Sequence, residues 1–246
     1  MELKDIFKME MYKNRNDKPY LLVIAILMAM TTISTFIGIA MIENSTIFSG
    51  GILTALILLI VFSGLGLWVF SLIYPFHLLN VDYKNKVISL IFASGVSREK
   101  YYFVKISATI LTCLIATLAI LIIPIITFFA VYTEYFVMAM QEIFTEFSFA
   151  DVTPFLLMAF FSLVAYYVML TTAVIITKGK LVGILLFFGF WFAVSIVQSM
   201  VGVSTWGIGY FTGELGASFY MQTFFSIVQI IVFALIGLNV LRKQDL

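Results

Sequence analysis

The chain has 246 residues, of which 63% are hydrophobic and 11% charged, with a net charge of +1 and a mean hydropathy of +1.12. Soluble domains are about 45–50% apolar and about 25% charged, so the composition excludes an ordinary soluble protein and implies an integral membrane one. A single cysteine, Cys113, leaves no intramolecular disulfide, and as a core residue of its span it needs no further role.

In chain order, residues 1–19, MELKDIFKMEMYKNRNDKP, come first. Leu3, Phe7 and Met11, with Ile6 beside them, fall at i, i+4 spacing on a charged background, the pattern of an amphipathic helix lying in a membrane interface. Pro19 separates this helix from the apolar run that follows and makes an elbow. That run is too long for a signal-peptide core, so no cleavable signal is expected.

A bilayer is crossed by roughly 20 consecutive apolar residues. Six segments qualify, at about 20–42, 51–76, 104–133, 154–177, 181–203 and 220–241. None alternates as barrel strands do. The predicted fold class is therefore all-α integral membrane, with one six-helix transmembrane domain over 20–246 behind the 1–19 elbow. Small residues in SGLGLW, 63–68, and at Ala108, Thr112 and Ala116 permit close helix contact in spans two and three. Pro124 is expected to kink span three without ending it, because apolar sequence continues for two turns. Only TKGK, 177–180, separates spans four and five, which must form an antiparallel hairpin.

The connection between spans two and three is the most heavily punctuated stretch: KVISLIFASGVSREKYYFVK, Lys86–Lys105. Val87, Leu90, Ile91 and Ser94 share a helical spacing, which predicts a short helix with one apolar face, and Ile88 lies within it. Gly95 supplies the left-handed position that ends helices. Ser97 is a good N-cap, with Glu99 in the next first turn. A short apolar-faced helix between two long ones is placed to dock into a groove on a soluble partner. Tight joining through Gly95 and Ser97 would let a push on it move span three as a lever.

Two later segments are unlike plain loops. Glu134–Asp151, EYFVMAMQEIFTEFSFAD, can form an amphipathic helix with Phe136, Met140, Phe144 and Phe147 on one side. Its acids Glu134, Glu142, Glu146 and Asp151 would be either a solvated face that keeps the helix off the lipid or an outer negative rim suited to a cationic amphipathic peptide. Gly202–Gly216, GVSTWGIGYFTGELG, is too polar to span and too apolar for a free loop, which predicts a re-entrant or surface-lying segment before span six.

Charge sets the orientation. All 14 Lys and Arg fall before span one, between spans two and three, in TKGK, or after span six. The alternate loops hold Glu43, Glu134, Glu142, Glu146, Asp151 and Glu214 and no base. By the positive-inside rule both termini are cytoplasmic. Topology thus accounts for the basic residues, which argues against nucleic acid as a partner.

What is missing narrows the chemistry. The chain lacks a P-loop and an H-E-x-x-H motif, and its one histidine, His77, excludes an imidazole-built metal site. His77 and Ser218 lie at opposite ends of their spans, a bilayer apart, so an intramembrane serine protease is disfavoured. No charge is expected well inside a span, where proton- or ion-driven carriers keep theirs. The deepest polar groups, Gln198 and Gln229, bridge helices or, with Trp191, line a conduit. Energy for any transport should come from elsewhere.

These residues resemble a known family. KNKVISLIFASGVSREKYYFVK, Lys84–Lys105, is similar to the segment between spans two and three of ABC-2-type permeases, the membrane subunits of type V ATP-binding-cassette exporters. In that family a coupling helix leads through a small-residue, serine-arginine turn to a lysine near the start of span three. Here Ala93-Ser94-Gly95-Val96-Ser97-Arg98 and Lys105 match. Size and organisation look most like small Gram-positive permeases of bacteriocin and lantibiotic immunity or peptide export.

The resemblance implies a bacterial plasma-membrane permease that pairs with a second copy or a sister subunit. It also implies two separate cytoplasmic ATPase subunits carrying ATP and Mg, no cofactor on this chain, and no enzymatic activity of its own. Val87, Ile88, Leu90, Ile91, Ser94, Gly95, Ser97 and Arg98 would then couple to the ATPase. Export of an amphipathic peptide, antimicrobial or lipid-like substrate is the function implied. The alternative is a stand-alone membrane immunity protein that binds a toxic peptide without moving it.

Overall fold

The structure is a computed structural model describing residues 3–44, 51–131, 133, 149–200 and 215–244. Among these residues the chain is helical, without strands. The helices are α1 Leu3–Arg15, α2 Lys18–Asn44, α3 Gly51–Lys84, α4 Val87–Ala93, α5 Arg98–Val131, α6 Phe149–Ile176, α7 Val182–Met200 and α8 Leu215–Lys243. Six stretches are long and apolar enough to cross a membrane: Lys18–Phe36, Gly64–Lys84, Arg98–Val131, Thr153–Ile176, Val182–Met200 and Phe219–Lys243.

Large apolar side chains point outward on these helices, among them Leu22, Met30, Leu118, Leu185, Phe192 and Leu235. Water would penalise so much contiguous apolar surface, whereas lipid covers it at no cost. Helices α3 and α5 continue past Pro75 and Pro124. The second apolar run thus belongs to a helix that extends two turns beyond residue 76, and Pro124 does not end span three.

The chain packs as two compact units. The first comprises Met1–Lys8, Pro75–Ile110 and Phe144–Leu246. Its centre is α6, where 56% of the most apolar stretch is buried against 11% for α7. Phe76, Leu79 and Val174 form a small core there with Ile184 against it. Thr172 Oγ1 donates to the Phe233 carbonyl at 2.9 Å, and the Ser162 and Ser226 hydroxyls meet at 3.1 Å, joining α6 to α8. Tyr166 and Phe187 touch edge-to-face across the α6–α7 turn at 5.1 Å, as an antiparallel hairpin requires. That turn holds Lys178 and Gly179 with φ of 51° and 76°, and the Gly179 N–H closes it onto the Val174 carbonyl.

The second unit comprises Met9–Tyr74 and Leu111–Ile143. Tyr20 stacks on Tyr74 at 4.3 Å and donates to the Thr112 carbonyl, while Thr31 donates to the Ile120 carbonyl. Asn14 Nδ2 donates to Thr112 Oγ1 at 3.0 Å.

The elbow helix forms as α1, with Pro19 in the first turn of α2. The stripe it turns to the rest of the protein is a different one from the Leu3, Phe7 and Met11 stripe assigned to the membrane interface. Ile6, Glu10 and Asn14 are enclosed, whereas Leu3 is exposed and Phe7 and Met11 are half-buried. Helical spacing alone could not choose between the two stripes; the Asn14–Thr112 bond favours the polar one.

Candidate functional site

The short helix predicted from the punctuation is α4. Lys86 precedes it in the left-handed conformation, φ 54°, with no side-chain cap. At the other end Gly95 has φ 86° and its N–H bonds the Phe92 carbonyl at 3.0 Å. Ser97 caps α5, its Oγ accepting from the Lys100 N–H at 3.3 Å, and Glu99 lies in the first turn. Helix, stop, cap and new helix follow in the predicted order.

The facing of α4 departs from expectation. Ile88 and Ile91 are buried, Val87 is half-buried and Leu90 is 69% exposed. The predicted common face of Val87, Leu90 and Ile91 is therefore split. The seven residues VISLIFA are apolar nearly all round, so periodicity cannot fix a face and the neighbours decide. Ser94, Gly95 and Ser97 are exposed beside Leu90, and Val96 is buried.

Arg98, also assigned to the docking set, is half-buried and reaches the end of α8. Its Nη1 lies 2.6, 2.6 and 2.9 Å from the carbonyl oxygens of Leu241, Arg242 and Gln244. These are carbonyls that the end of a helix leaves without partners, and a cation there also meets the negative end of the helix dipole. The same guanidinium sits 5.4 Å from the Phe92 ring centroid, and Phe92 meets Tyr101 edge-on at 5.5 Å. Glu99 and Arg242 form an ion pair alongside. Gln244 extends the network: its Nε2 donates to the Ile175 carbonyl at 2.6 Å, and its Oε1 accepts from the Tyr83 hydroxyl at 3.1 Å. The ends of α3, α5, α6 and α8 thus meet around the α4–α5 turn.

Beneath this junction lies a charge pair that the sequence did not announce. Lys105 Nζ contacts Asp82 Oδ2 at 2.5 Å, with side-chain exposures of 2% and 0%, and the Tyr101 hydroxyl donates to the same oxygen at 3.2 Å. Charges this deep persist only when paired and hydrogen-bonded. The expectation that spans carry no charge well inside holds for their middles; the ends of α3 and α5 bury one each. In the sequence Asp82 lies in NVDYKNK, a polar stretch with the composition of a solvated loop. Its hint is an acid set close to several lysines at the end of an apolar run.

The suggested conduit residues are not brought together by any bond. Gln229 Nε2 donates to the Met169 sulfur at 3.6 Å, bridging α8 and α6. Trp191 is exposed on α7 and Gln198 half-buried one heptad further on. Of the acidic rim, Glu134, Glu142 and Glu146 lie outside the described residues, and Asp151 falls in the first turn of α6. The segment 202–216 lies outside them up to residue 214.

Fold and junction define a helical protein with, among the described residues, six membrane-length helices and an interhelical junction at the ends of four of them. Comparison with protein-family models, curated proteins and solved structures returns no match to this chain.

Proposed function

We propose that this chain is the permease subunit of an ATP-binding-cassette exporter of the ABC-2 type. In this reading it sits in a bacterial plasma membrane with both termini cytoplasmic and pairs with a second copy or a sister permease. Two separate ATPase subunits, holding ATP and Mg, drive export of an amphipathic substrate. Helix α1 lies in the interface and α4 is the coupling helix.

The observation that carries the reading is α4 itself. It is a seven-residue helix bracketed by two left-handed residues, and it projects Leu90 outward from a seat made by Ile88 and Ile91. One large exposed apolar side chain on a firmly seated short helix is a knob that suits a groove on a soluble subunit. Force applied there reaches Phe92 and Arg98, and through Arg98 the end of α8.

The test is Leu90→Asp in the chain co-expressed with an ATP-binding-cassette ATPase subunit that co-purifies with the parent chain. Since Leu90 is exposed, folding and membrane insertion should be unchanged, whereas a carboxylate buried without a partner costs several kcal/mol at an interface. ATPase co-purification and substrate-stimulated hydrolysis should both fall. Undiminished assembly and coupling would remove α4 as the dock.

A further inference from the structure

Four lysines converge on one cleft of about 740 Å3: Lys84 and Lys86 from the α3–α4 connection, Lys178 and Lys180 from the α6–α7 turn. The two segments are far apart in sequence, and no carboxylate lines the cleft among the described residues. The positive-inside rule explains lysines at this level of the fold. It does not by itself account for four of them lining a single hollow with no carboxylate beside them, which makes that hollow a place of positive potential.

The cleft is built rather than incidental. Gly179, at φ 76°, packs so tightly on α3 that a Cβ there would come within 3.1 Å of Asn80 Cα and 3.3 Å of Tyr83 Cβ. A side chain there would be strained by the left-handed backbone and would press on α3. Lys86 and Lys178, on opposite sides of the cleft, are the two non-glycine residues with positive φ among those described. Ser89 and Asn80 add neutral hydrogen-bonding groups to the lining.

The location selects among anions. Helix α3 ends at Lys84, α6 ends at Ile176 and α7 begins at Val182, so the cleft opens where three membrane-length helices stop. Leu181 belongs to its lining and is 73% exposed. Leu185, one turn along α7, and Phe192, two turns further, continue an outward apolar track away from the lysines. A phosphate at the charged end with hydrocarbon along α7 matches a lipid better than a soluble ion.

We propose that this cleft binds the phosphate headgroup of an anionic phospholipid, with an acyl chain running along α7. The inference stands apart from the exporter reading, since it needs neither ATPase nor transported substrate.

The purified full chain in a neutral detergent is titrated with dioctanoyl phosphatidylglycerol, dioctanoyl phosphatidylcholine, inorganic phosphate and hexaglutamate, with the thermal unfolding midpoint as readout. Phosphatidylglycerol should raise the midpoint and the other three should not at equal concentration. Changing Lys84, Lys86, Lys178 and Lys180 to Gln should weaken the effect by about fivefold per lysine. The unliganded variant should melt at or above the parent, because the repulsion has been removed, which separates lost binding from lost folding. A control with Lys4, Lys8 and Lys100 changed to Gln should respond like the parent. An undiminished response in the cleft variant overturns the site. An equal response to phosphate or to hexaglutamate overturns the lipid, in favour of a free anion or an acidic protein surface respectively.

Discussion

Two residues near the α4–α5 turn owe their identity to different physics. Gly95 stands in open space, with nothing within 4 Å of an added Cβ, so its role is conformational, set by φ 86°. Gly95→Val should cost about 1–2 kcal/mol of stability through the left-handed backbone alone. Gly95→Asn should be milder, since a short polar side chain tolerates that region. Unfolding titrations of both variants check this, and equal stability for Val and Gly would mean the turn re-forms without a left-handed residue. Asp82 is held by charge instead. Asp82→Leu or Lys105→Met, each removing one charge of the ion pair, should cost about 3–5 kcal/mol, whereas the double variant Asp82→Leu, Lys105→Met should cost less than either single change. Additive losses in that cycle would show that the two side chains act independently.

At the scale of elements, close approach and capping dominate. In α8, Gly237 faces Tyr102 of α5 and Thr172 of α6; an added Cβ would lie 2.7 Å from the tyrosine hydroxyl and 2.9 Å from the threonine hydroxyl. Both atoms are buried, so they cannot simply swing away. Gly237→Ala should destabilise by about 1–3 kcal/mol through overpacking, read as a lower unfolding midpoint. At the end of α8, one guanidinium nitrogen of Arg98 serves three carbonyls. Arg98→Met should lose about 1.5–3 kcal/mol, the scale of hydrogen bonds to a charged donor. Because a single nitrogen makes these contacts, an ammonium with its three donors is a reasonable replacement, and Arg98→Lys should recover much of the loss. No recovery by lysine would point to the guanidinium's cation–π contact with Phe92 as the larger part.

For the whole molecule, the charge distribution predicts one sidedness. Cys113 is the chain's only cysteine and is buried, so the native protein should resist a membrane-impermeant maleimide. Lys86→Cys, Lys180→Cys and Lys243→Cys should then label from the same side of sealed vesicles and be silent from the other. Labelling of any one from the opposite face would break the six-span arrangement with both ends on one side.

The sequence by itself determined the helical class, the number and rough position of the long apolar runs, the hairpin at 177–180 and the stop-and-cap order from Gly95 to Ser97. Those features rest on local physics: apolar run length, glycine's access to positive φ, and a serine placed three residues before a free N–H. Only the tertiary structure decided which side of α4 and of α1 is enclosed, because both carry apolar residues on more than one side and their neighbours break the tie. The Asp82–Lys105 pair, the capping of α8 by Arg98 and the meeting of four lysines in one cleft were likewise beyond reach. Each joins residues 23 to 146 positions apart, or two turns distant in the chain, through directional contacts that composition and periodicity do not encode.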